Sequence, residues 1–433
     1  MPMASVPSPS ESATNRVRLV GPYGWEPLLV SAAIFFAMGF VTWLNGPLIS
    51  FVRVAFSLDD VSAFFIPLVF YVSYLVFSIP ASLVARRLGL KTGLAASILL
   101  SALGVATFGQ FITWRIYGGA LAGLLLLGAG LSLMQVVINP LVSLLGPPTH
   151  AAKRIAIMGI SNKFAGMLAP VALAMLVMRD IGTVAQRAQA ADPATREAIL
   201  NGFVQAIYWP YLGMAALLVG LAALVWMSPL PQIEAPPLPS LSGQMRERLL
   251  KPHLVFGVFV LFLYVGVEVM AADAIGTYGR GFGLPLDQTK FFTSLTLAAM
   301  LAGYVAGFVI VPRFVSQERY MAFSCLAGML LTVLAFLAHG YVSVLFVALL
   351  GFANAMIMPT IFPIAIRGAG RATSLASALL IMAYSGGAII PQFYVLLKPY
   401  VGFQAMFALL VLPSYAAIFL YARIYGRIGL DKK

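Results

Sequence analysis

The sequence predicts an all-α membrane protein of twelve transmembrane helices, arranged as two pseudo-symmetric six-helix halves. Three observations carry this. Of 433 residues, 61% are hydrophobic and only 9% are charged, where an ordinary soluble domain has about 25% charged residues. Apolar runs of about 20 residues, the length that crosses a bilayer, recur along the whole chain. The basic residues fall in the connections between those runs and favour alternate sides.

The spans are placed at 27–51, 61–84, 93–112, 117–141, 155–178, 203–228, 253–279, 288–312, 320–338, 341–364, 373–397 and 401–422. Two connections are long. Residues 179–202 join spans 5 and 6, and residues 229–252 join spans 6 and 7. The second is Pro-rich, then basic, and lies mid-chain. It reads as a cytoplasmic linker between an N-terminal half, 27–228, and a C-terminal half, 253–422, with cytoplasmic tails at 1–26 and 423–433. Eighteen Lys and Arg, among them Arg86, Arg87, Lys91, Arg246, Arg367 and Arg423, fall on the side of the N-terminus. Eight, among them Arg53, Arg280 and Lys398, fall on the other. The positive-inside rule then puts both termini in the cytoplasm and the chain in the cell inner membrane.

An internal repeat is faintly visible. A basic turn follows the second span of each half, at Arg86-Arg87 and at Arg313. Two six-span halves and a central linker point to the major facilitator architecture, in which substrate binds near the midplane between halves.

Composition also excludes function classes. The lone Cys325 rules out an internal disulfide or a metal–thiolate cluster. No paired metal-ligand motif, phosphate loop or nucleophile with a nearby base lies within the spans, so neither an enzyme nor a cofactor is expected. The net charge of +13 belongs to membrane topology rather than to nucleic acid, and the bilayer is the expected macroscopic partner. The fold requires no oligomer, so a monomer is expected. The Ser/Pro-rich N-terminus lacks the apolar core of a signal peptide.

Three ionisable residues remain inside the spans: Lys163 in span 5, and Glu268 and Asp273 in span 7. A charge at a helix centre costs about 2.5–3.5 kcal/mol on insertion scales. Such residues therefore need partners or a wet cavity. They either form a structural pair, Lys163 with Glu268 or Asp273, or line a path and handle a coupling ion. Glu268 and Asp273 are five residues apart, which on a straight helix separates them by about 140°. An intramembrane carboxylate can load and release a proton; two carboxylates with amide oxygens can alternatively hold sodium.

The uncharged polar residues lie on several spans: Trp43 and Asn45 on span 1, Gln135 and Asn139 one turn apart on span 4, Asn162 on span 5, and Asn354 on span 10. Amides both donate and accept, as sugar hydroxyls do. Each taken singly also fits an interhelical hydrogen bond. Their joint occurrence favours a cavity lined for a polyhydroxylated ligand. Trp43 is the tryptophan placed deep in a span; the other four lie near the interfaces.

Several stretches resemble the fucose–galactose–glucose:proton symporter family of major facilitators. They are Gly39–Ile49 with Trp-Leu-Asn-Gly-Pro at its centre, Phe70–Tyr74, Arg87–Lys91, Gln135 to Asn139-Pro140, Tyr264–Glu268, Met358–Phe362 and Gly386–Pro391. The resemblance covers nearly the whole chain in order. It implies import of a neutral sugar by cation-coupled symport, with the proton as the coupling ion, and alternating access of the two halves. Glu268 is similar to the acidic position of the glucose/galactose-type branch, and N-acetylglucosamine also fits. Fucose-type members carry Asp where Gly46 stands and Glu where Gln135 stands. Coupling is therefore expected to rest on span 7, through Glu268 and Asp273, with Lys163. A drug/proton antiporter of the same fold is the alternative.

Overall fold

A computed structural model describes residues 25–145, 151–230, 232, 248–311 and 313–426. Residues 1–24, 146–150, 231, 233–247, 312 and 427–433, and with them the expected cytoplasmic tails and most of the expected linker, lie outside the described residues. Among those described there is no strand. Among the described residues, twelve helices are long and apolar enough to cross a membrane. In order they are Glu26–Ala55, Asp60–Leu88, Leu90–Thr113, Tyr117–Asn139, Ile157–Leu176, Pro193–Met227, Pro252–Ala272, Leu286–Ile310, Gln317–Leu337, Gly340–Ile366, Leu375–Val401 and Phe403–Tyr425. The protein is thus a multi-pass membrane protein with the expected number of spans.

The two halves repeat one another in their packing. Span 1 packs on span 5, span 2 on span 4, and span 3 on spans 4 and 6. Six spans later, span 7 packs on span 11, span 8 on span 10, and span 9 on spans 10 and 12. The halves meet through span 5 against span 8 and span 2 against span 11.

Spans 2 and 3 are joined by Gly89 alone, at φ 75°, a left-handed backbone that glycine enters without steric cost. This is the basic turn read from the sequence. The sequence shows the connection 179–202 only as a long join between spans 5 and 6. It is largely helical, with helices Ile181–Ala190 and Pro193–Gln205. The second begins on Asp192, whose carboxylate accepts from the backbone N–H groups of Ala194 and Thr195. Pro193 follows at the first helical position. Asp-Pro is an N-terminal signature.

Spans 1, 7, 10 and 11, as read from the sequence, are broken along their length. Span 1 divides into Glu26–Thr42 and Asn45–Ala55, because Pro47 has no N–H to offer the carbonyl of Trp43. Span 10 divides into Gly340–Asn354 and Ile357–Ile366, where Pro359 does the same to Ala355. Span 11 passes through a 3-10 turn at Ala383–Ser385. Span 7 breaks without a proline, between Pro252–Ala272 and Ile275–Arg280, so its second part is not the continuous helix that 253–279 implied. The carbonyl of Val269 takes the N–H groups of both Asp273 (2.7 Å) and Ala274 (3.1 Å). This local widening resembles a π-bulge, a feature frequent at functional sites. The neighbouring carbonyls of Ala271 and Ala272 accept from the hydroxyls of Thr296 (2.7 Å) and Thr293 (2.8 Å) on span 8. Membrane interior leaves no water to satisfy such groups, so side chains must.

Candidate functional site

The intramembrane charges meet where the halves join. Lys163 Nζ lies 2.8 Å from Glu268 Oε1, and both side chains are nearly buried. The same ammonium sits 4.3 Å from the centre of the Trp43 ring. A lysine over an indole face gains a cation–π attraction of about 2 kcal/mol when desolvated. Span 5 thus offers its cation to an anion of span 7 and an aromatic face of span 1. The sequence left Lys163 open between Glu268 and Asp273; the structure pairs it with Glu268.

Around Glu268 stand five tyrosines, Tyr71, Tyr264, Tyr304, Tyr384 and Tyr415, each close enough to feel its charge. Tyr384 of span 11 also reaches across to Tyr74 of span 2, with ring centres 5.5 Å apart. Tyr71 and Tyr264 lie in stretches that carry the family resemblance but were not read as site residues, and aromatic residues are too common in every span for sequence to mark Tyr304, Tyr384 and Tyr415 as facing inward. Trp43 is 3% exposed, whereas Trp25, Trp114, Trp209 and Trp226 are all more than half exposed. The indole Nε1 of Trp43 and the amide nitrogen of Asn45 are buried and make no hydrogen bond among the described residues.

The remaining predicted residues fall into different places. Gln135 and Asn139 bond each other along span 4, the Asn139 amide donating to the Gln135 side-chain oxygen at 3.3 Å and to its carbonyl at 3.1 Å. Asn162 turns away from its neighbour Lys163 and donates to the carbonyl of Phe35 on span 1 at 3.2 Å. Asn354, fully buried, ties three spans together. Its side-chain oxygen accepts from Tyr415 at 2.8 Å and its carbonyl from Tyr264 at 3.1 Å. Asn354→Ala removes one acceptor and leaves the Tyr415 hydroxyl dry. It is expected to destabilise the protein by about 1–3 kcal/mol, read as a lower melting temperature of the purified protein. Asn162→Ala, with a half-buried side chain, is expected to cost less.

Asp273 sits at the span 7 break, 1% exposed. Neither carboxylate oxygen has a hydrogen-bond partner among the described residues. Its surroundings include the backbone of Gly46 and the charges of Glu268 and Lys163. The break bends span 7 and brings Asp273 into the same electrostatic neighbourhood as Glu268.

A second charged cluster was not anticipated. At the end of the bundle away from the termini, Asp60 takes three cations: Arg53 at 2.9 Å, Arg280 at 3.1 Å, and Lys398. Arg280 and Lys398 belong to the opposite half. Beside it, Gln392 donates to the carbonyl of Val61 at 3.3 Å, and buried Lys290 donates to the carbonyls of Met178 (2.7 Å) and Arg179 (3.0 Å). These contacts join the two halves at this end, as the Lys163–Glu268 pair does deeper in the bundle.

Comparison with known proteins places this geometry in a family. The profile of the Major Facilitator Superfamily matches residues 31–391. A glucose/galactose transporter of Brucella abortus is 30% identical over 405 residues, 92% of either chain. The L-fucose-proton symporter of Escherichia coli K12 is 24% identical over 413 residues, 94% of either chain. A crystal structure of the E. coli fucose:proton symporter superposes with a TM-score of 0.74 at 23% identity, covering 93% of this chain and 99% of that one. An inward-facing bacterial homologue of the lysosomal transporter Spinster gives 0.65 at 14% identity, covering 94% of this chain and 98% of that one. These relatives are transporters, not enzymes. The chain belongs to the Major Facilitator Superfamily and, within it, to the fucose–galactose–glucose:proton symporter family.

Proposed function

We propose that this protein imports a neutral sugar of the glucose, galactose or N-acetylglucosamine type together with a proton, by alternating access of its two halves. The observation that carries this reading is the Lys163–Glu268 pair laid on the face of Trp43 at the joint between halves. The pair is neutral overall, so it suits a neutral ligand. It nonetheless offers a strong donor and a strong acceptor to hydroxyls, and Trp43 supplies a flat apolar face for sugar C–H groups. The free amide of Asn45 and the tyrosines around Glu268 add further polar groups.

The names of the relatives support a sugar as substrate and a proton as the coupling ion. The acidic residues of span 7 are the groups assigned to coupling. Gln135 and Asn139 complete the proposed lining from span 4, while Asn162 and Asn354 hold the frame that positions it. In the proposed orientation both termini face the cytoplasm and the Asp60 cluster faces outward, in the cell inner membrane. The protein acts as a monomer.

Thermal stability of the purified protein is the first test, measured against glucose, galactose, N-acetylglucosamine, fucose and lipophilic cations at two pH values. A ligand that binds the folded state raises the melting temperature by mass action. One hexose or N-acetylhexosamine is expected to stabilise the wild type. Stabilisation by lipophilic cations alone would replace the sugar reading with drug/proton antiport.

A further inference from the structure

We propose that the charged cluster around Asp60 is a binding site for a small monovalent anion of halide size, chloride above all, held between the two halves at the end of the bundle away from the termini. The site is independent of the sugar reading and is tested without a sugar.

The charges at this end do not balance. Three cations meet one carboxylate: Arg53 and Arg280 lie 2.9 and 3.1 Å from Asp60 Oδ1, and Lys398 pairs with Oδ2. Two positive charges are left over, and the side chains of Arg280 and Lys398 are only 12% and 17% exposed. The adjacent Asp59 is exposed, and its carboxylate accepts from the backbone N–H of Ser62 at 2.9 Å. Arg53, Arg280 and Lys398 each stand in the last turn of a helix, and the negative ends of those helices offset part of the excess. That offset is diffuse. It leaves a fraction of the charge uncompensated in a partly buried place, which is destabilising.

Three donors show where the missing charge belongs. Arg53 Nε, Arg280 Nε and the Tyr394 hydroxyl are shut off from solvent, and none makes a hydrogen bond among the described residues. Arg53 Nε is near the Asp60 oxygen but is not aimed along a hydrogen bond. Arg280 uses another nitrogen for Asp60 and for the Thr277 hydroxyl at 2.9 Å, which leaves its Nε free. Tyr394 is wholly buried and close enough to feel the charges of both Asp60 and Arg280, and the Lys398 ammonium lies 5.7 Å from the centre of its ring. A buried donor without an acceptor is costly. One anion accepting from these donors satisfies the hydrogen bonds and the charge together. A halide suits the place because it is round, small and accepts from any direction. A divalent anion would overcompensate what the helix ends leave.

The donors come from both halves. Arg53 and Asp60 belong to the N-terminal half, and Arg280, Tyr394 and Lys398 to the C-terminal half. The anion is therefore enclosed only while this end is shut, since parting the halves divides its donors. Bound chloride favours the shut state for that reason.

The test uses the full-length purified protein. Chloride replaces gluconate, an anion too large for the site, at constant sodium and ionic strength, so that screening is unchanged. The melting temperature is expected to rise with the logarithm of chloride above the dissociation constant, and bromide is expected to act in the same way. Tyr394→Phe and Lys398→Gln are each expected to move the onset of that rise to about tenfold higher chloride, the effect of losing one hydrogen bond to a charged group. Tyr394→Phe in gluconate should melt no lower than wild type, because the hydroxyl it removes has no protein partner. Crystals grown in bromide should show its anomalous signal on Arg280 Nε and the Tyr394 hydroxyl. Equal melting in chloride and gluconate at every concentration would overturn the proposal. So would a chloride response that neither variant alters, which marks a dispersed salt effect, or bromide peaks found only elsewhere.

Discussion

Glu268→Ala is expected to abolish sugar counterflow and to destabilise the purified protein by about 3–5 kcal/mol, the usual cost of stranding one partner of a buried pair. Lys163, only 8% exposed, would be left without its anion in the membrane interior. Lys163→Met is expected to strand Glu268 in the same way. The informative comparison is the double variant Lys163→Met with Glu268→Leu. Replacing both members of a buried pair with apolar groups of similar size is often neutral. Melting temperature should therefore recover close to wild type in the double variant. Transport should not recover, since the donor and the acceptor for hydroxyls have gone. Recovery of counterflow in the double variant would show that the pair serves only to clamp span 5 to span 7. The two measurements together separate a binding role from a structural one, because only the structural role is restored by removing both charges.

Asp60→Asn is expected to open the end of the bundle away from the termini. One carboxylate there holds Arg53, Arg280 and Lys398, and charge-assisted hydrogen bonds of this kind contribute about 1.5–3 kcal/mol each. Without the anion three cations repel one another across the joint between halves. A shift of about 1.4 kcal/mol suffices for a tenfold change in the balance of two conformations. The change can be read with Ser50→Cys, at a buried position of span 1 near Gly276 of span 7. A membrane-impermeant maleimide should label this cysteine about tenfold faster in the Asp60→Asn background. Native Cys325 is buried and gives little competing signal. Net transport should slow as well, since a carrier held open to one side completes fewer cycles. Unchanged labelling would mean that Lys290 and its bonds to the carbonyls of Met178 and Arg179 suffice to keep this end shut.

What the sequence by itself determined is the membrane class, the twelve spans and the identity of the three charges inside them. The reason is energetic and local. Each span must be apolar over the thickness of the bilayer, and each buried charge is costly enough to stand out on its own. The breaks at Pro47 and Pro359 follow from a missing backbone donor, although Pro80 and Pro170 stand inside unbroken helices. The resemblance named the family on short polar stretches that a bilayer alone would not require.

Only the tertiary structure decided which groups meet. It gave Lys163 to Glu268 rather than to Asp273. It set Asn162 on the backbone of Phe35 and the side-chain oxygen of Asn354 on Tyr415, and left the amide nitrogens of Asn45 and Asn354 without a partner among the described residues. It gathered Arg53, Asp60, Arg280 and Lys398, up to 338 residues apart along the chain, into one cluster. It also placed the break of span 7 on Asp273, with no proline to announce it. The physical cause is shared by all of these. A helix in lipid is apolar on every side, so periodicity does not mark the face that turns inward. Which face that is, and what it finds there, follows from how twelve helices pack rather than from any one of them.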